Sequence, residues 1–304
     1  MEHIPVMQVE ILKYFKSCNN GLIIDGTLGL GGHSEALLAA YPRISILGCD
    51  LDEYALGFSK ERLSKYRDRI EFTQGNFSDI LSSLSLDGNS ELASGVLLDL
   101  GLSSYQLDTP ERGFSFRFDA PLDMRFGHTQ KNTAFNIVNE YSERELANLI
   151  FEYGDERKSR KIAKGIIKRR PIFTTMELAN LIKNLLNSKN SKIHPATKTF
   201  QALRIEVNGE LNNLFSVLED TLKILKKGGR IIVISYHSLE DRIVKNFFKK
   251  ESKDCLCPTE ILICECGHLR NLEIITKNVS KPSRTEIMSN PRSRSAKLRV
   301  AELL

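Results

Sequence analysis

The sequence predicts an α/β fold built on a doubly wound, parallel, Rossmann-like sheet that carries a mainly helical insertion. Short apolar runs that end at glycine or an acidic residue recur along the chain, and helical patterns such as 53–66 separate the first three of them. Alternating strands and helices are typical of a parallel sheet with helices on both faces. Residues 133–190 instead carry apolar positions at helical spacing and few strand signals. This segment predicts a helical insertion.

The individual elements follow from the same patterns. Strands are expected at 22–25, 44–50, 69–74, 96–100 and 230–235. Helices are expected at 34–40, 53–66, 211–226 (ended by Gly228-Gly229) and 238–251, with a last strand near 272–277. We therefore expect one domain made of 1–109 and 206–304, interrupted by a helical domain at 110–205.

Length and composition indicate a globular protein with a large core. The 304 residues are 41% hydrophobic and 27% charged, values that are ordinary for a soluble protein. Apolar runs stay shorter than the roughly 18–20 residues of a membrane span, and the N-terminus does not resemble a secretion signal. We expect a cytoplasmic enzyme without a membrane partner.

The net charge is only +5, but the basic residues are clustered. Segment 157–170 reads RKSRKIAKGIIKRR, and the tail 277–299 carries seven Lys and Arg residues. Such clusters can neutralise nucleic-acid phosphates. The alternatives are a solvated helix face for the first cluster and a mobile loop for the second.

A glycine-rich turn follows the first predicted strand. That strand ends at Asp25, and Gly29, Gly31 and Gly32 precede a helical pattern. Glycines between a strand and a helix N-terminus let a nucleotide-like ligand approach the backbone. A dinucleotide fingerprint would need a third Gly or Ala where Ser34 stands, which disfavours NAD. S-adenosylmethionine, with its ammonium and sulfonium groups, fits the acidic turn better.

Polar side chains end the next predicted strands as well. Asp50 closes the second strand, Asn76-Phe77 follows the third, and Asp99 closes the fourth. An acidic residue about twenty positions beyond the glycine turn can accept both ribose hydroxyls. An Asn beside a Phe could hold an adenine ring. Because ligands of open α/β sheets bind outside the carboxyl ends of the strands, we expect these residues to share one cleft.

Seven segments distributed over nearly the whole chain resemble the bacterial small-subunit ribosomal RNA methyltransferase H family, also called MraW. They are Asp25–Ser34, Leu97–Asp108, Arg112–Phe116, Pro121–Arg125, His194–Arg204, Ser235–Lys245 and Asn290–Arg299. The resemblance implies a class I methyltransferase sheet and methyl transfer from S-adenosylmethionine to N4 of a cytidine in the decoding centre of 16S ribosomal RNA. The implied partner is the small ribosomal subunit, and a homodimer is left open.

The resemblance also implies the cofactor contacts. They match Gly31, Gly32, His33, Asp50, Phe77, Asp99 and Gln106, to which the strand pattern adds Asp25. The chain departs from the family at Tyr105, where proline is usual, and at Tyr236, where phenylalanine is usual. The first departure removes a rigid residue beside Gln106, and the second adds a hydroxyl.

The catalytic candidates are Asp99, Ser103 and His237. A cytosine N4 amine is a poor nucleophile, so the enzyme must accept hydrogen bonds from it and align it with the sulfonium methyl. We expect Asp99 and Ser103 to supply the acceptors; the alternative is that Asp99 contacts only the methionine ammonium. His237 could orient the substrate or take up a proton, and a purely structural role is the alternative. In the segment 194–204, Lys198 and Arg204 are candidates for RNA contact.

Four of the six cysteines lie within twelve residues near the C-terminus. They form two C-x-C pairs, Cys255 with Cys257 and Cys264 with Cys266. Paired thiolates on two short turns suit tetrahedral zinc, and disulfides are unexpected in the cytosol. We expect a structural zinc site; the alternative is a reduced cluster without a ligand.

Two further functions compete with methyl transfer. The first is a non-catalytic ribosome assembly factor that retains S-adenosylmethionine as a structural ligand, and the acidic strand ends argue against it. The second is an NAD-dependent oxidoreductase, which the incomplete glycine fingerprint disfavours.

Overall fold

The computed structural model describes residues 5–86, 92–102, 107–127, 130–187, 193–258 and 263–304. By contacts these fall into two compact units, the first formed by residues up to 101 together with 211–304, and the second by 102–210. The interval 110–205, expected as the helical insertion, lies inside the second unit.

The first unit contains a seven-stranded sheet in the order β3-β2-β1-β4-β5-β7-β6. The strands are β1 Asn20–Asp25, β2 Arg43–Asp50, β3 Ile70–Gln74, β4 Ala93–Asp99, β5 Leu225–Ser235, β6 Leu272–Ile274 and β7 Lys297–Leu303. β1 to β5 pair in parallel, whereas β7 runs antiparallel to both β5 and β6. The predicted doubly wound, Rossmann-like class is confirmed.

The strand order reverses between β1 and β4, and this position creates the site. From β1 the chain proceeds outwards through β2 to β3, and then returns to place β4 on the other side of β1. At such a reversal the connections leave in opposite directions and open a crevice at the carboxyl ends of the strands. Asp25 lies beside Leu97 of β4 at this end.

Helices cover both faces of the sheet. In the first unit they are α1 Gln8–Phe15, α2 Gly32–Ala40, α3 Glu53–Arg62, α4 Phe77–Leu86, α10 Glu210–Ile224 (which begins at the unit boundary), α11 Ser238–Glu251 and α12 Arg284–Ser289. Neighbouring strand residues pack on opposite faces, as the period of two requires. Ile23 belongs to one buried apolar cluster and Ile24 to the other. Both faces are apolar, as is typical of a parallel sheet.

The second unit is helical. Its helices are α5 Ala134–Glu140, α6 Glu143–Gly154, α7 Ser159–Arg169, α8 Thr175–Leu186 and α9 Thr197–Asn208. Ser142 caps α6 in a capping box with Glu145, and Thr174 caps α8 in one with Glu177. The helices share their own buried core, in which Leu146, Ile162 and Leu178 are fully buried.

Some element boundaries differ from the prediction. The helix expected at 211–226 ends at Ile224, because Leu225 already pairs with Ala93 as the first residue of β5. Gly228-Gly229 therefore lies inside an irregular strand rather than at a helix end. The helix expected at 53–66 ends at Arg62 and continues as a 3₁₀ segment over Ser64–Arg69. The strand expected near 272–277 ends at Ile274. The helix expected at 238–251 is confirmed as α11.

Among the described helices, none has the length and apolar character that crossing a membrane requires.

Candidate active site

Three aspartates mark the carboxyl edge of the sheet. Asp25, Asp50 and Asp99 are the last residues of β1, β2 and β4. Parallel strands bring these ends to one edge, as the sequence predicted.

The glycine turn between β1 and α2 has backbone conformations that favour glycine. Gly29 and Gly31 have φ of +54° and +75°. A Cβ on Gly31 would approach Leu63 Cδ1 to 2.9 Å, and one on Gly32 would approach Pro5 Cγ to 2.6 Å. Conformation and packing thus explain Gly31, and packing explains Gly32. The predicted contact of these two glycines with a cofactor stays a prediction.

Asp25 is a buried carboxylate held by its own turn. Its Oδ2 accepts a hydrogen bond from the Ser34 hydroxyl at 2.7 Å, and its Oδ1 accepts one from the Thr27 N–H at 3.2 Å. Burial raises the pKa of Asp25, while the Ser34 hydroxyl and the neighbouring His33 lower it. These two hydrogen bonds fix the conformation of the turn.

Asp50 ties the second strand to the glycine turn. Its Oδ2 accepts from the Gly29 N–H at 2.7 Å, and its Oδ1 accepts from the Asp52 N–H at 2.8 Å. Burial raises the pKa of Asp50 to about 6, although the two backbone donors lower it. Each carboxylate oxygen has two lone pairs, so both oxygens can accept a further hydrogen bond.

His33 and Asp99 face each other with unused hydrogen-bonding capacity. His33 Nε2 lies 3.4 Å from Asp99 Oδ2. Within the described part of the chain, both ring nitrogens of His33 and Oδ1 of Asp99 are buried and lack a hydrogen-bond partner. The Asp99 N–H donates to the Thr27 hydroxyl at 2.6 Å, which fixes the end of β4 against the β1 turn. Buried polar atoms of this kind are costly unless a ligand satisfies them.

Tyr236 contributes its hydroxyl to the same place. Burial raises the pKa of Tyr236 well above its usual value, and the charge of Asp99 and a hydrogen bond to that carboxylate raise it further. A Cβ on Gly101 would lie 2.7 Å from the Tyr236 ring, so the ring packs directly on the chain that leaves β4. The extra hydroxyl noted in the sequence therefore belongs to a ring that packs on Gly101, two residues after Asp99.

His237 is placed as a helix cap. Its Nδ1 accepts from the Glu240 N–H at 3.4 Å, while Glu240 Oε2 accepts from the His237 N–H at 3.2 Å. This reciprocal pair forms the capping box of α11. His237 Nε2 lies 2.9 Å from Glu240 Oε1. The capping box accounts for His237 Nδ1, whereas Nε2 is buried and forms no hydrogen bond of regular geometry with any described residue. The catalytic role of His237 stays a prediction.

The remaining predicted site residues are Phe77, Ser103 and Gln106. Phe77 begins α4 and lies close to the turn, because a Cβ on Gly26 would come within 3.2 Å of Phe77 Cβ. Ser103 and Gln106 lie outside the described residues. Sequence reasoning missed Thr27, which binds both Asp25 and the end of β4. Its position directly after the strand's acidic residue was the available signal.

The basic segment 157–170 spans α7 and the residues that flank it, and most of its cations are exposed on one side of the helix or just before it. Its exposed cations are Arg157, Lys158, Arg160, Lys161, Lys164, Lys168 and Arg169. The opposite face packs into the core through Ile162 and Ile166. Arg170 differs, because its Nε donates to the Val138 carbonyl at 2.7 Å.

Several other predicted cations are engaged in ion pairs or backbone contacts. Arg204 forms two hydrogen bonds of 2.8 Å with the carboxylate of Glu210, and Lys198 Nζ donates to the Asp155 carbonyl at 2.6 Å. In the tail, Lys297 and Arg299 both bind Asp241. Arg204 could contact RNA only at the expense of its ion pair.

The four clustered cysteines come together. One ligand atom from each of Cys255, Cys257, Cys264 and Cys266 lies within 4.8 Å of the others. Cys18 and Cys49 are buried elsewhere.

A family model described as the MraW methylase family matches residues 1–304 of this chain. The chain belongs to the MraW methylase family. Curated relatives named "Ribosomal RNA small subunit methyltransferase H" are similar to it over 99% of its length. The one from Dehalococcoides mccartyi is 48% identical and is covered over 86% of its own length. Those from Caldicellulosiruptor saccharolyticus and Geobacter sulfurreducens are 48% and 47% identical, and each is covered over 99%.

Membership of the MraW methylase family confirms the resemblance drawn from the seven sequence segments. The MraW sheet edge carries the acidic residues, the glycine turn and the buried unsatisfied atoms in one unit.

Proposed function

We propose that this MraW methylase transfers a methyl group from S-adenosylmethionine to N4 of a cytidine in the decoding centre of 16S ribosomal RNA, in the cytoplasm. The observation that carries the proposal is the similarity, at 47–48% identity over 99% of the chain, to relatives named for small-subunit ribosomal RNA methylation. The family resemblance supplies the finer elements, N4 and the decoding centre.

S-adenosylmethionine fits the residues at the sheet edge. Its ammonium and sulfonium groups are cationic, and Asp25, Asp50 and Asp99 present carboxylates there. Among the described residues, the nitrogens of His33 and Oδ1 of Asp99 have no hydrogen-bond partner, and a polar ligand would satisfy these buried atoms. When bound, the cofactor supplies an electrophilic methyl group.

Asp50 would hold the ribose. Both of its oxygens are fixed by backbone donors and retain acceptor capacity for two hydroxyl groups. Asp25 would act indirectly, because its carboxylate is already engaged by Ser34 and Thr27 and sets the shape and the charge of the turn. Gly31, Gly32 and His33 would line the turn around the methionine portion, and Phe77 would contact the adenine.

Asp99 would accept hydrogen bonds from the cytosine amine. Its Oδ1 is buried and has no hydrogen-bond partner among the described residues, and the Thr27 hydroxyl, which accepts from the Asp99 N–H, fixes the end of β4. An acceptor aimed at the amine draws the nitrogen lone pair out of conjugation with the ring. A preorganised acceptor achieves this without reorganisation during the reaction. Ser103 and Gln106 remain part of this proposal as sequence-based assignments. His237 would orient the loop that follows β5.

The exposed basic face of α7 would bind RNA. It presents five exposed cations, with Arg157 and Lys158 just before the helix, and its opposite face is anchored in the core of the second unit. Phosphate contacts fix a protein on its nucleic acid without reading sequence. A cytidine held in structured RNA must leave its stack to reach a pocket at the sheet edge. We therefore assign the second unit, 102–210, to substrate recognition.

The experiment uses purified protein, labelled S-adenosylmethionine and small ribosomal subunits from cells that lack this activity. We expect transfer to 16S RNA and N4-methylcytidine in the nucleoside digest. Cofactor binding without transfer to any subunit preparation would support the non-catalytic assembly factor instead.

A further inference from the structure

The C-terminal cysteines occupy a segment whose described residues form no apolar core. It leaves α11 after Glu251 and returns at Asn271, whose N–H donates to the Glu251 carbonyl at 2.9 Å. None of the described residues within it, 252–258 and 263–270, is buried. Ile263 and Leu269 are 79% and 76% exposed. Long connections without secondary structure are uncommon in compact domains, and something other than hydrophobic burial must hold this one.

The sulfur atoms have the spacing of ligands to one metal ion. The Sγ atoms of Cys255 and Cys264 are 3.4 Å apart, those of Cys255 and Cys266 are 3.7 Å apart, and those of Cys264 and Cys266 are 3.6 Å apart. A tetrahedral zinc ion with Zn–S bonds of about 2.3 Å would hold its sulfurs about 3.8 Å apart. Disulfide-bonded sulfurs would be only about 2.05 Å apart. A cluster of several iron atoms would hold them further apart than a single ion does.

Backbone donors surround the sulfurs in a reciprocal arrangement. The N–H of Leu256, within the first pair, donates to Cys266 Sγ of the second pair at 3.3 Å. The N–H of Glu265, within the second pair, donates to Cys257 Sγ of the first at 3.4 Å. Hydrogen bonds to ligand atoms orient metal ligands and here would offset thiolate charge.

A glycine completes the second turn. Gly267 follows Cys266 with φ of +61°, a conformation that favours glycine, and its Cβ position is open. Space does not demand glycine here, whereas the positive φ favours it.

We propose that Cys255, Cys257, Cys264 and Cys266 bind one structural zinc ion. On binding, each thiol loses its proton to solvent and each sulfur forms one bond to zinc, so four thiolates and Zn²⁺ leave the centre with a net charge of −2. No sulfur is oxidised. The closed shell of four protein ligands leaves no open position for catalysis, so the role of the ion is structural. The ion would hold the two cysteine pairs together, while the hydrogen bond between Asn271 and Glu251 joins the two ends of the segment.

The test measures metal in the full chain, purified without chelator, by mass spectrometry of the elements and of the intact native protein. We expect one zinc per chain. Cys255→Ser and Cys266→Ser should each lose at least nine-tenths of it. Cys18→Ser is the matched control, since this buried cysteine lies outside the cluster, and it should keep its zinc.

A second measurement does not depend on purification history. Protein stripped of metal under reducing conditions should bind one Co²⁺ and develop the absorption of a tetrahedral cobalt–thiolate centre, which Zn²⁺ then abolishes. Proteolysis of the stripped protein should cleave first within 252–270, and zinc should suppress this cleavage.

Three results would overturn the proposal. They are free reaction of all four thiols with no metal taken up, a mass lower by two hydrogens for each disulfide, and iron in place of zinc. The Cys→Ser variants should still bind S-adenosylhomocysteine, which shows that they have folded. The assignment of the sheet edge does not depend on this result.

Discussion

Asp50 should make cofactor binding depend on pH in a defined way. Burial raises its pKa to about 6 in the cofactor-free protein, and its two oxygens are fixed by the N–H groups of Gly29 and Asp52. The ionised carboxylate can accept two ribose hydroxyls, whereas the protonated acid gives up acceptor capacity. Lowering the pH through about 6 should therefore weaken binding of S-adenosylhomocysteine, the reaction product.

The size of the effect follows from the ionised fraction. With a pKa of about 6 and binding only to the ionised form, the apparent Kd scales as one plus the ratio of acid to carboxylate. This factor is close to 1 at pH 7.5 and about 11 at pH 5, so affinity should fall roughly tenfold, or about 1.4 kcal/mol.

Folding stability should change in the opposite direction. A folded-state pKa raised above the usual value means that protonated Asp50 favours the folded state. Its contribution is complete below pH of about 4 and is lost as the pH rises through about 6. A rise of about two pKa units corresponds to at most roughly 3 kcal/mol.

Calorimetric titration with S-adenosylhomocysteine from pH 7.5 to 5 checks the first effect, and urea unfolding over the same range checks the second. Asp50→Asn should remove this tenfold component from the binding profile. Asp68→Asn, at an exposed carboxylate on the same unit, should reproduce the wild-type profile. Parallel pH profiles for wild type and Asp50→Asn would refute the reasoning.

Three further outcomes follow from the structure. Asp99→Asn should lower kcat by about 10²–10³, the loss expected for one preorganised acceptor, while the Kd for S-adenosylhomocysteine changes less than tenfold. A loss confined to cofactor affinity would mean that Asp99 serves only the methionine ammonium. Lys164→Glu on the exposed face of α7 should weaken binding to the ribosomal subunit and reduce the slope of log K against log salt concentration by about 1. Lys226→Glu, at an exposed lysine of the first unit, should change neither. Equal slopes for the two variants would exclude this face of α7 as an RNA-binding surface. Arg204→Met should destabilise the protein by about 3–5 kcal/mol, because it removes the cation that pairs with the Glu210 carboxylate in a largely buried site. An unchanged midpoint of urea unfolding would contradict this.

The sheet edge was predictable because its signals are local. A strand that ends in Asp25 or Asp50 carries both the apolar run and the acidic residue within a few positions. Parallel strands then bring their carboxyl ends together by topology, so the cleft follows without further information.

Contacts between distant segments were not predictable in the same way. The Tyr236 ring packs against Gly101 only because β4 and β5 are adjacent in the sheet. The end of α10 was misplaced because pairing of Leu225 with Ala93 overrides the local helical pattern. Arg204 looked available for RNA because its sequence gives no sign of the turn that places Glu210 beside it.

The central claim is tested most directly by methyl transfer to small ribosomal subunits from cells that lack this activity, followed by mass spectrometry of the nucleosides. We predict N4-methylcytidine at a single decoding-centre position with the wild-type protein, and almost none with Asp99→Ala. Transfer to a different atom or a different RNA, or equal product from Asp99→Ala, would contradict the account.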